Sequence, residues 1–243
     1  MKLTQLKLKN FRGYYGEVVI DFCDLTAFVG KNDVGKPTIL EALDIFFNED
    51  KAIAKIEKND INKQAQLSGD TEVCISACFE ELPINIIIDA TYETTMQSEY
   101  LLNSGGQLEI IKKFPNASKP KAFIKANHPT NPACSDLLSK TNTNLKKIID
   151  DNGIQCADKT KNPVMRSSIW EHYSDDLQLQ EVELDITKGD TKSISDKLLG
   201  LLPLYSLFQS YRKNSDGDSE VQDPLKEAVK QILNDEELTK KLA

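Results

Sequence analysis

Residues 30–38 have the spacing of a phosphate-binding loop, with one mismatch. Gly30 and the pair Gly35 and Lys36 fit the pattern G-x-x-x-x-G-K, which Ser or Thr normally completes. In such loops backbone N–H groups surround a nucleotide phosphate, the lysine neutralises charge and the hydroxyl binds Mg²⁺. Here Pro37 takes the hydroxyl position, and Thr38 follows one residue later. The pattern predicts a nucleotide site with a defective magnesium position.

Pro37 removes two groups from this loop, the hydroxyl for the metal and a backbone N–H for the phosphate. It also disfavours helical dihedral angles at Lys36, although proline is well accepted in a first helical turn. A lost hydrogen bond to a charged group costs about 1.5–3 kcal/mol, which is roughly 10- to 100-fold in affinity. We therefore expect the fold to survive, nucleotide binding to weaken and Mg²⁺-dependent hydrolysis to be strongly impaired. Thr38 could replace the hydroxyl only if the loop shifted its register.

Two apolar segments flank the loop and are expected to position it. Residues 25–29 predict a strand that enters the loop, and residues 39–47 predict the helix that follows it. Apolar side chains cover most of the circumference of this helix, which indicates a buried helix. Its N-terminal dipole would point at the bound phosphate.

The remaining pattern predicts an α/β protein with two regions. Residues 1–132 are interpreted as a phosphate-loop lobe with an antiparallel β meander, and residues 133–243 as a mainly helical region. The predicted strands are residues 2–9, 17–22, 72–80, 84–93, 99–103, 107–114, 121–126, 177–186 and 204–209. The predicted helices are residues 136–151, 167–173, 193–202 and one that begins after Asp223.

Composition narrows the functional classes. The chain is 40% hydrophobic and 28% charged, as in ordinary globular proteins. It has no apolar run of membrane-spanning length and no signal-peptide pattern, so we expect a cytoplasmic protein without a membrane partner. Five scattered cysteines predict buried thiols in a reducing compartment rather than metal ligands. Cys74 and Cys78 are expected to share one face of a strand.

The net charge of −8 argues against a nucleic-acid surface that extends over the whole chain. One local cluster of lysines surrounds a predicted hairpin. A solvated hairpin face is the favoured interpretation of this cluster, and a DNA contact is the alternative. The cluster consists of Lys112, Lys113, Lys119, Lys121 and Lys125.

Two further segments resemble ATPase motifs but fit other interpretations better. Residues 103–107 (NSGGQ) resemble an ABC-type signature loop, yet strand-like sequence follows where a helix is required, so a hairpin turn is predicted. Residues 86–89 resemble an acidic strand end of the Walker B type, but Ala90 follows where a catalytic glutamate is needed. His128 and His172 are isolated. We therefore predict no catalytic residue for water activation in this chain.

Two stretches point to a family. LKLKNFRGYYGEVVIDF followed by LTAFVGKNDVGKPTILEALDIFF resembles the amino-terminal lobe of RecF, SMC-type ATPases and OLD (overcoming lysogenization defect) nucleases. The form GKNDVGK with the helix ILEALDIFF is most similar to OLD-type ATP-dependent endonucleases. LPLYSLFQSYRKNSDGDSEVQDPLKEAV resembles a later segment of such proteins, in which Asp usually occupies the position of Tyr211.

This resemblance implies a partial head of the P-loop ABC ATPase type, with a helical dimerisation-type region. ATP and weakened Mg²⁺ are the implied cofactors, and a homodimer or larger oligomer is the implied assembly. The signature loop, Walker B strand and Toprim nuclease domain of the family would come from other segments, and DNA would be contacted through parts absent from this chain. The implied cofactor-binding residues are Gly30, Lys31, Asn32, Asp33, Gly35, Lys36 and Thr38. Arg12 matches an arginine near the nucleotide, and a solvated turn arginine is its alternative reading.

Three functions follow from these observations. The first is the amino-terminal ATP-binding portion of an OLD-like DNA endonuclease in phage defence or DNA processing, with weak or no hydrolysis by this chain alone. The second is a non-catalytic module for nucleotide sensing or dimerisation. The third is a DNA-repair ATPase head of the RecF or SMC type, although no sustained heptads support the SMC form.

Overall fold

The computed structural model describes residues 1–30, 35–88, 92–187 and 191–207. It has an α/β fold, as the sequence predicts, and the chain divides into two compact units. The sheet unit consists of Met1–Phe28 and Ile56–Leu202, and the loop unit of Val29–Lys55 and Pro203–Ala243. Within the described ranges, no helix combines the length and the hydropathy that crossing a bilayer requires. The predicted division at residue 132 stays a prediction.

One six-stranded antiparallel sheet forms the centre of the sheet unit, in the order β2-β1-β3-β4-β5-β6. The last strand, β6, follows residue 132 in the chain but pairs with β5, which precedes it. The strands are β1 (Lys2–Lys9), β2 (Glu17–Asp21), β3 (Glu72–Glu80), β4 (Leu108–Pro115), β5 (Lys121–Pro129) and β6 (Leu179–Asp185).

The two faces of this sheet differ in polarity because strand side chains alternate between faces. One face is apolar and buried, and the register aligns its residues across neighbouring strands. They include Leu6, Leu8, Ile75, Ala77, Phe79, Ile110 and Ile124. The opposite face carries ion pairs between strands, among them Lys7 with Glu109 at 2.7 Å and Lys125 with Glu181 at 3.3 Å.

Five α-helices and four short 3₁₀ segments occur in the described part of the chain. The α-helices are α1 (Lys36–Asn48), α2 (Lys63–Leu67), α3 (Asn142–Asp151), α4 (Asn162–His172) and α5 (Thr191–Gly200). The 3₁₀ segments are Glu49–Lys51, Lys58–Asp60, Leu137–Ser139 and Ser174–Asp176. Helices α3 and α4 contact each other and bury apolar residues such as Leu145 and Ile169.

The lysine cluster is only partly a solvated face. Lys112 is 2% exposed and lies on the apolar side of β4, opposite Ile75. Lys113 contacts Glu183 at 2.5 Å. Lys119 and Lys121 are exposed, as expected. Acidic side chains on neighbouring strands therefore form ion pairs with part of this lysine cluster, which the linear sequence could not show.

Several predicted elements differ from the structure. Residues 25–29 form no strand, and Leu25 is 87% exposed. The described part of residues 84–93 contributes one isolated bridge, from Ile86 to Thr94. Residues 99 and 100 end a turn, with Tyr100 at φ 52°, and residues 101–103 form no strand. The predicted helix 136–151 is interrupted because the Thr141 side chain accepts a hydrogen bond from the Asn144 N–H and starts α3 anew.

Most of the other predictions agree with the structure to within a few residues. Strands β1, β3, β4 and β6 and helix α1 lie where the pattern places them, and α4 begins five residues earlier than predicted. Helix α5 begins two residues early. Residues 204–207 form no strand, while residues 208–209 and the helix after Asp223 lie outside the described residues.

Candidate functional site

The phosphate-loop pattern ends at the start of a helix, as the motif requires. Gly35 is the N-cap of α1 and adopts the left-handed conformation with φ 81° and ψ 8°. Glycine reaches this conformation without the steric cost that a Cβ imposes. The Ile39 N–H donates to the Gly35 carbonyl at 3.3 Å, and no side chain of the described residues caps this helix end. Such a helix N-terminus favours an anion.

The lysine of the pattern folds back toward the first glycine. The Lys36 Nζ donates to the Gly30 carbonyl oxygen, which brings the two ends of the loop together. The intervening candidates Lys31, Asn32 and Asp33 lie outside the described residues. Gly30, Gly35, Lys36 and Thr38 therefore belong to one local region of the loop unit, and their predicted contacts with a nucleotide stay a prediction.

Pro37 occupies the first turn of α1, so the expectation that the helix tolerates this proline is confirmed. Its ring brings no hydroxyl and no N–H to this turn. Thr38, the residue that could supply a hydroxyl instead, is half-buried. The helix geometry is thus retained while the groups normally used for Mg²⁺ and phosphate are missing at position 37.

Helix α1 is held in the loop unit by an apolar face and by one buried carboxylate. Ile39, Leu43 and Phe46 are buried, which confirms the predicted buried helix. Asp44 is 1% exposed and accepts the backbone N–H groups of Ile53 at 2.6 Å and of Ala54 at 3.2 Å. The sequence reasoning missed this role, although an acidic residue inside an apolar helical run was a usable signal.

Tyr205 is a second contact of α1 that the sequence reasoning missed. Its hydroxyl donates to the Leu40 carbonyl at 2.9 Å, and its ring stacks on Phe47 with centroids 5.6 Å apart. The Asn48 Nδ2 donates to the Tyr205 carbonyl at 3.3 Å. Burial raises the pKa of the Tyr205 hydroxyl to about 12, and the Asp44 carboxylate adds to this shift.

Arg12 lies in the sheet unit, in the turn between β1 and β2, with φ 50°. Its Nε donates to the Asp60 Oδ1 at 2.8 Å, and its backbone N–H donates to the Asp60 carbonyl at 2.6 Å. The guanidinium also lies 5.0 Å from the centroid of the Phe11 ring. Arg12 is thus a turn arginine that is paired with Asp60 and partly exposed. The predicted proximity of Arg12 to a nucleotide stays a prediction.

The cysteines Cys74 and Cys78 are buried on β3, as predicted from their even spacing. Burial raises the pKa of the Cys74 thiol to about 12 and that of the Cys78 thiol to about 11. Both thiols are thus protonated and poor metal ligands at neutral pH. Among the described residues, no group of three or more His, Cys, Asp and Glu side chains could hold a metal ion.

Residues 103–107 form a turn and do not start a helix. The Asn103 N–H donates to the Gln107 carbonyl at 2.9 Å, and Gly106 has φ 75°. The Ser104 hydroxyl and N–H donate to Glu181, which lowers the pKa of that carboxyl to about 2. The predicted turn is confirmed, although no strand precedes it. Asp89 of the Walker B-like segment lies outside the described residues.

Comparisons with known proteins were made against curated proteins, solved structures and family models. The search of curated proteins found no match. A solved structure from work on the ATP-driven dimerization and DNA-stimulated activation of SMC ATPases is similar at 17% identity, covering 63% of this chain and 99% of that chain. The TM-score of 0.36 is too low to establish a common fold. The family model described as AAA ATPase domain matches residues 1–243, so the chain belongs to the AAA ATPase domain family.

Proposed function

We propose that this chain is the ATP-binding portion of an OLD-like ATP-dependent DNA endonuclease, with weak or no ATP hydrolysis by itself. The observation that carries the proposal is the phosphate-loop pattern ending in a left-handed Gly35 at the start of α1, with Pro37 in the first turn. Membership of the AAA ATPase domain family supports the ATPase part. The resemblance of the loop and of residues 202–229 supports the OLD part.

The residues of the loop have separate roles in this proposal. Lys36 neutralises the phosphate charge, and the N-terminal amides of α1 bind phosphate oxygens. A Mg²⁺ ion held at this loop would supply charge stabilisation during hydrolysis. With Pro37 at the usual hydroxyl position, only Thr38 is near enough in sequence to supply that hydroxyl. Nucleotide binding is therefore retained more readily than hydrolysis.

Partners follow from the same resemblance. The chain forms a homodimer or larger oligomer, and other segments supply the signature, Walker B and Toprim nuclease parts. DNA is contacted through parts that this chain does not supply. The biological setting would be phage defence or DNA processing in the cytoplasm. The helical part of residues 133–243 is the proposed dimerisation element.

A titration with Mg·ATP tests the site directly. The wild-type chain is compared with Pro37→Ser, which restores the hydroxyl and the N–H, and with Lys36→Ala as the control for a damaged loop. We expect Pro37→Ser to bind Mg·ATP roughly 10- to 100-fold more tightly than wild type, because a lost bond to a charged group costs about 1.5–3 kcal/mol. Equal affinities and hydrolysis rates for wild type and Pro37→Ser would contradict the role given to Pro37.

A non-catalytic nucleotide-sensing or dimerisation module is the second candidate, and Pro37 is the observation that favours it. ATP hydrolysis by the Pro37→Ser variant distinguishes the two candidates. Pro37→Ser is assayed for ATP hydrolysis alone and after mixing with DNA and the signature, Walker B and Toprim parts. If it binds ATP tightly but hydrolyses none under either condition, the sensing module is the better description. Measurable turnover in that reconstituted mixture favours the ATPase portion of a nuclease.

A further inference from the structure

The last described segment of the chain is fastened to α1 through Tyr205. We call residues 203–207 the strap. Its contacts with α1 go to the Leu40 carbonyl, the Phe47 ring and the Asn48 side chain. Positions 40 and 47 are separated by about two helical turns and therefore lie on the same side of the helix, and position 48 follows directly after 47.

The strap and the phosphate loop act on the same helix from different positions. Leu40 lies about one turn after Lys36, so the Tyr205 hydroxyl bonds to the helix close to its phosphate-binding end. The other two contacts lie at the last residues of α1. More than 150 residues of chain separate Tyr205 from these partners, so the bonds between the strap and α1 are long-range tertiary contacts.

The hydroxyl of Tyr205 is suited to hold this position. It is half-buried and bonded to a carbonyl, and it stays protonated as a donor at physiological pH. The stacked arrangement with Phe47 has an interplanar angle of 17°, which fixes the ring direction as well as its distance. Tyr205 thus restrains both the axial position and the rotation of α1.

We propose that nucleotide binding at the phosphate loop is coupled to the packing of the strap against α1, with Tyr205 as a positioning residue for the phosphate loop. This proposal rests on the proposed ATP site. In this role Tyr205 acts through α1, whose first turn would bind the phosphate, and does not itself contact the nucleotide. Because coupling between two binding events is reciprocal, ATP at the loop also stabilises the strap against α1.

Substitutions at Tyr205 test the effect on affinity. Tyr205→Phe removes only the hydroxyl bond, and Tyr205→Ala also removes the stack on Phe47. Leu204→Ala is the matched control, since Leu204 is the strap neighbour and is 63% exposed. We expect the dissociation constant for ATP to rise about 2- to 10-fold in Tyr205→Phe, by the worth of one neutral hydrogen bond. The rise should be larger in Tyr205→Ala and less than about 2-fold in Leu204→Ala, as for exposed positions in general.

Hydrogen exchange distinguishes a positioning role of Tyr205 from a merely structural role, because only a positioning role makes the exchange rate of the strap depend on ATP. Amide exchange in residues 204–207 is followed in the full chain with and without saturating ATP. We expect ATP to slow this exchange in wild type, less in Tyr205→Phe and hardly in Tyr205→Ala. Unchanged exchange in wild type with ATP bound would overturn the proposal, even if Tyr205→Ala were destabilised.

Running each variant also in the Pro37→Ser background separates the two proposals. If neither the wild-type nor the Pro37→Ser chain binds ATP, the ATP site and the strap proposal both fail. If either chain binds ATP and the Tyr205 variants match it in affinity, only the strap proposal is overturned. Fluorescence of Trp170, which belongs to the sheet unit, checks that the sheet unit of each variant remains folded, and proteolysis near residues 48–55 checks the loop unit.

Discussion

The sheet unit and the loop unit are stabilised in different ways. The sheet unit has six hydrogen-bonded strands, a continuous apolar face and a buried ion pair between Arg166 and Glu99, each 1% exposed. The described part of the loop unit depends on one helix, on the Asp44 carboxylate and on Tyr205. The phosphate-loop residues proposed to bind ATP are in the loop unit, whereas Arg12 is in the sheet unit. The main framework of the fold and the proposed phosphate loop are therefore carried by separate parts of the chain.

The first prediction concerns the buried ion pair, and it has the largest expected effect. Arg166 binds Glu99 through Nε at 2.7 Å and through a terminal nitrogen at 3.0 Å. Replacing Arg166 with Ala should lower the free energy of unfolding by about 3–5 kcal/mol, because the carboxylate stays buried without this partner. Trp170 lies one turn along α4 and is the single tryptophan of the chain, so its fluorescence reports the loss in a denaturant titration.

Lys159→Ala is the control for this variant, because the ion pair between Lys159 and Asp150 is exposed. An exposed pair contributes about 0–1 kcal/mol, so Lys159→Ala should leave the midpoint nearly unchanged. If Arg166→Ala were as stable as Lys159→Ala, the buried pair would not be the support that we assign to the sheet unit.

The second prediction separates the two units. Asp44→Ala removes the acceptor of the Ile53 and Ala54 N–H groups and should destabilise the loop unit by about 1.5–3 kcal/mol, the contribution of a hydrogen bond to a charged group. We expect faster proteolysis near residues 48–55 and weaker ATP binding, with little change in the Trp170 unfolding transition. Asp44→Asn retains one acceptor oxygen and should lose less. Equal shifts in both units would show that they do not unfold separately.

The third prediction concerns pH and has the smallest expected effect. His128 is 1% exposed, its Nδ1 lies 2.9 Å from the Tyr100 carbonyl oxygen, and its Nε2 has no partner among the described residues. Burial lowers the pKa of His128, while the carbonyls of Tyr100 and Ser135 oppose this shift. The lowered pKa makes the folded state resist protonation. The contribution of neutral His128 to the stability of the sheet unit is therefore fully present above about pH 6.5, the ordinary histidine value. This contribution is lost as the pH falls further.

Trp170 also reports this pH effect, since its ring centroid lies 6.1 Å from that of His128. Urea titrations at pH 7.5 and pH 5 should give a lower midpoint at pH 5 for wild type. His128→Gln lacks the titrating group and should show a smaller difference between the two pH values. A midpoint difference equal to that of wild type in His128→Gln would assign the pH effect to other groups.

Local patterns predicted much of the fold, because they report which face of an element is buried. Alternation in β1 and β3 identified both strands, and the apolar run of α1 identified its burial. The same signal was misleading at residues 25–29 and 84–88, where apolar sequence does not form a strand. A strand needs a neighbour to pair with, and one sequence window does not show whether that neighbour is present.

For the candidate site, the glycine and lysine spacing and the proline in the first helical turn were determined by the sequence alone. The order of residue types sets these features directly, since only glycine takes φ 81° cheaply and only proline lacks an N–H. The tertiary structure decided that Asp60 binds Arg12, that Asp44 binds residues 53–54 and that Tyr205 binds α1. These contacts join positions about 9 to 165 residues apart, and such pairs become neighbours only after the chain has folded.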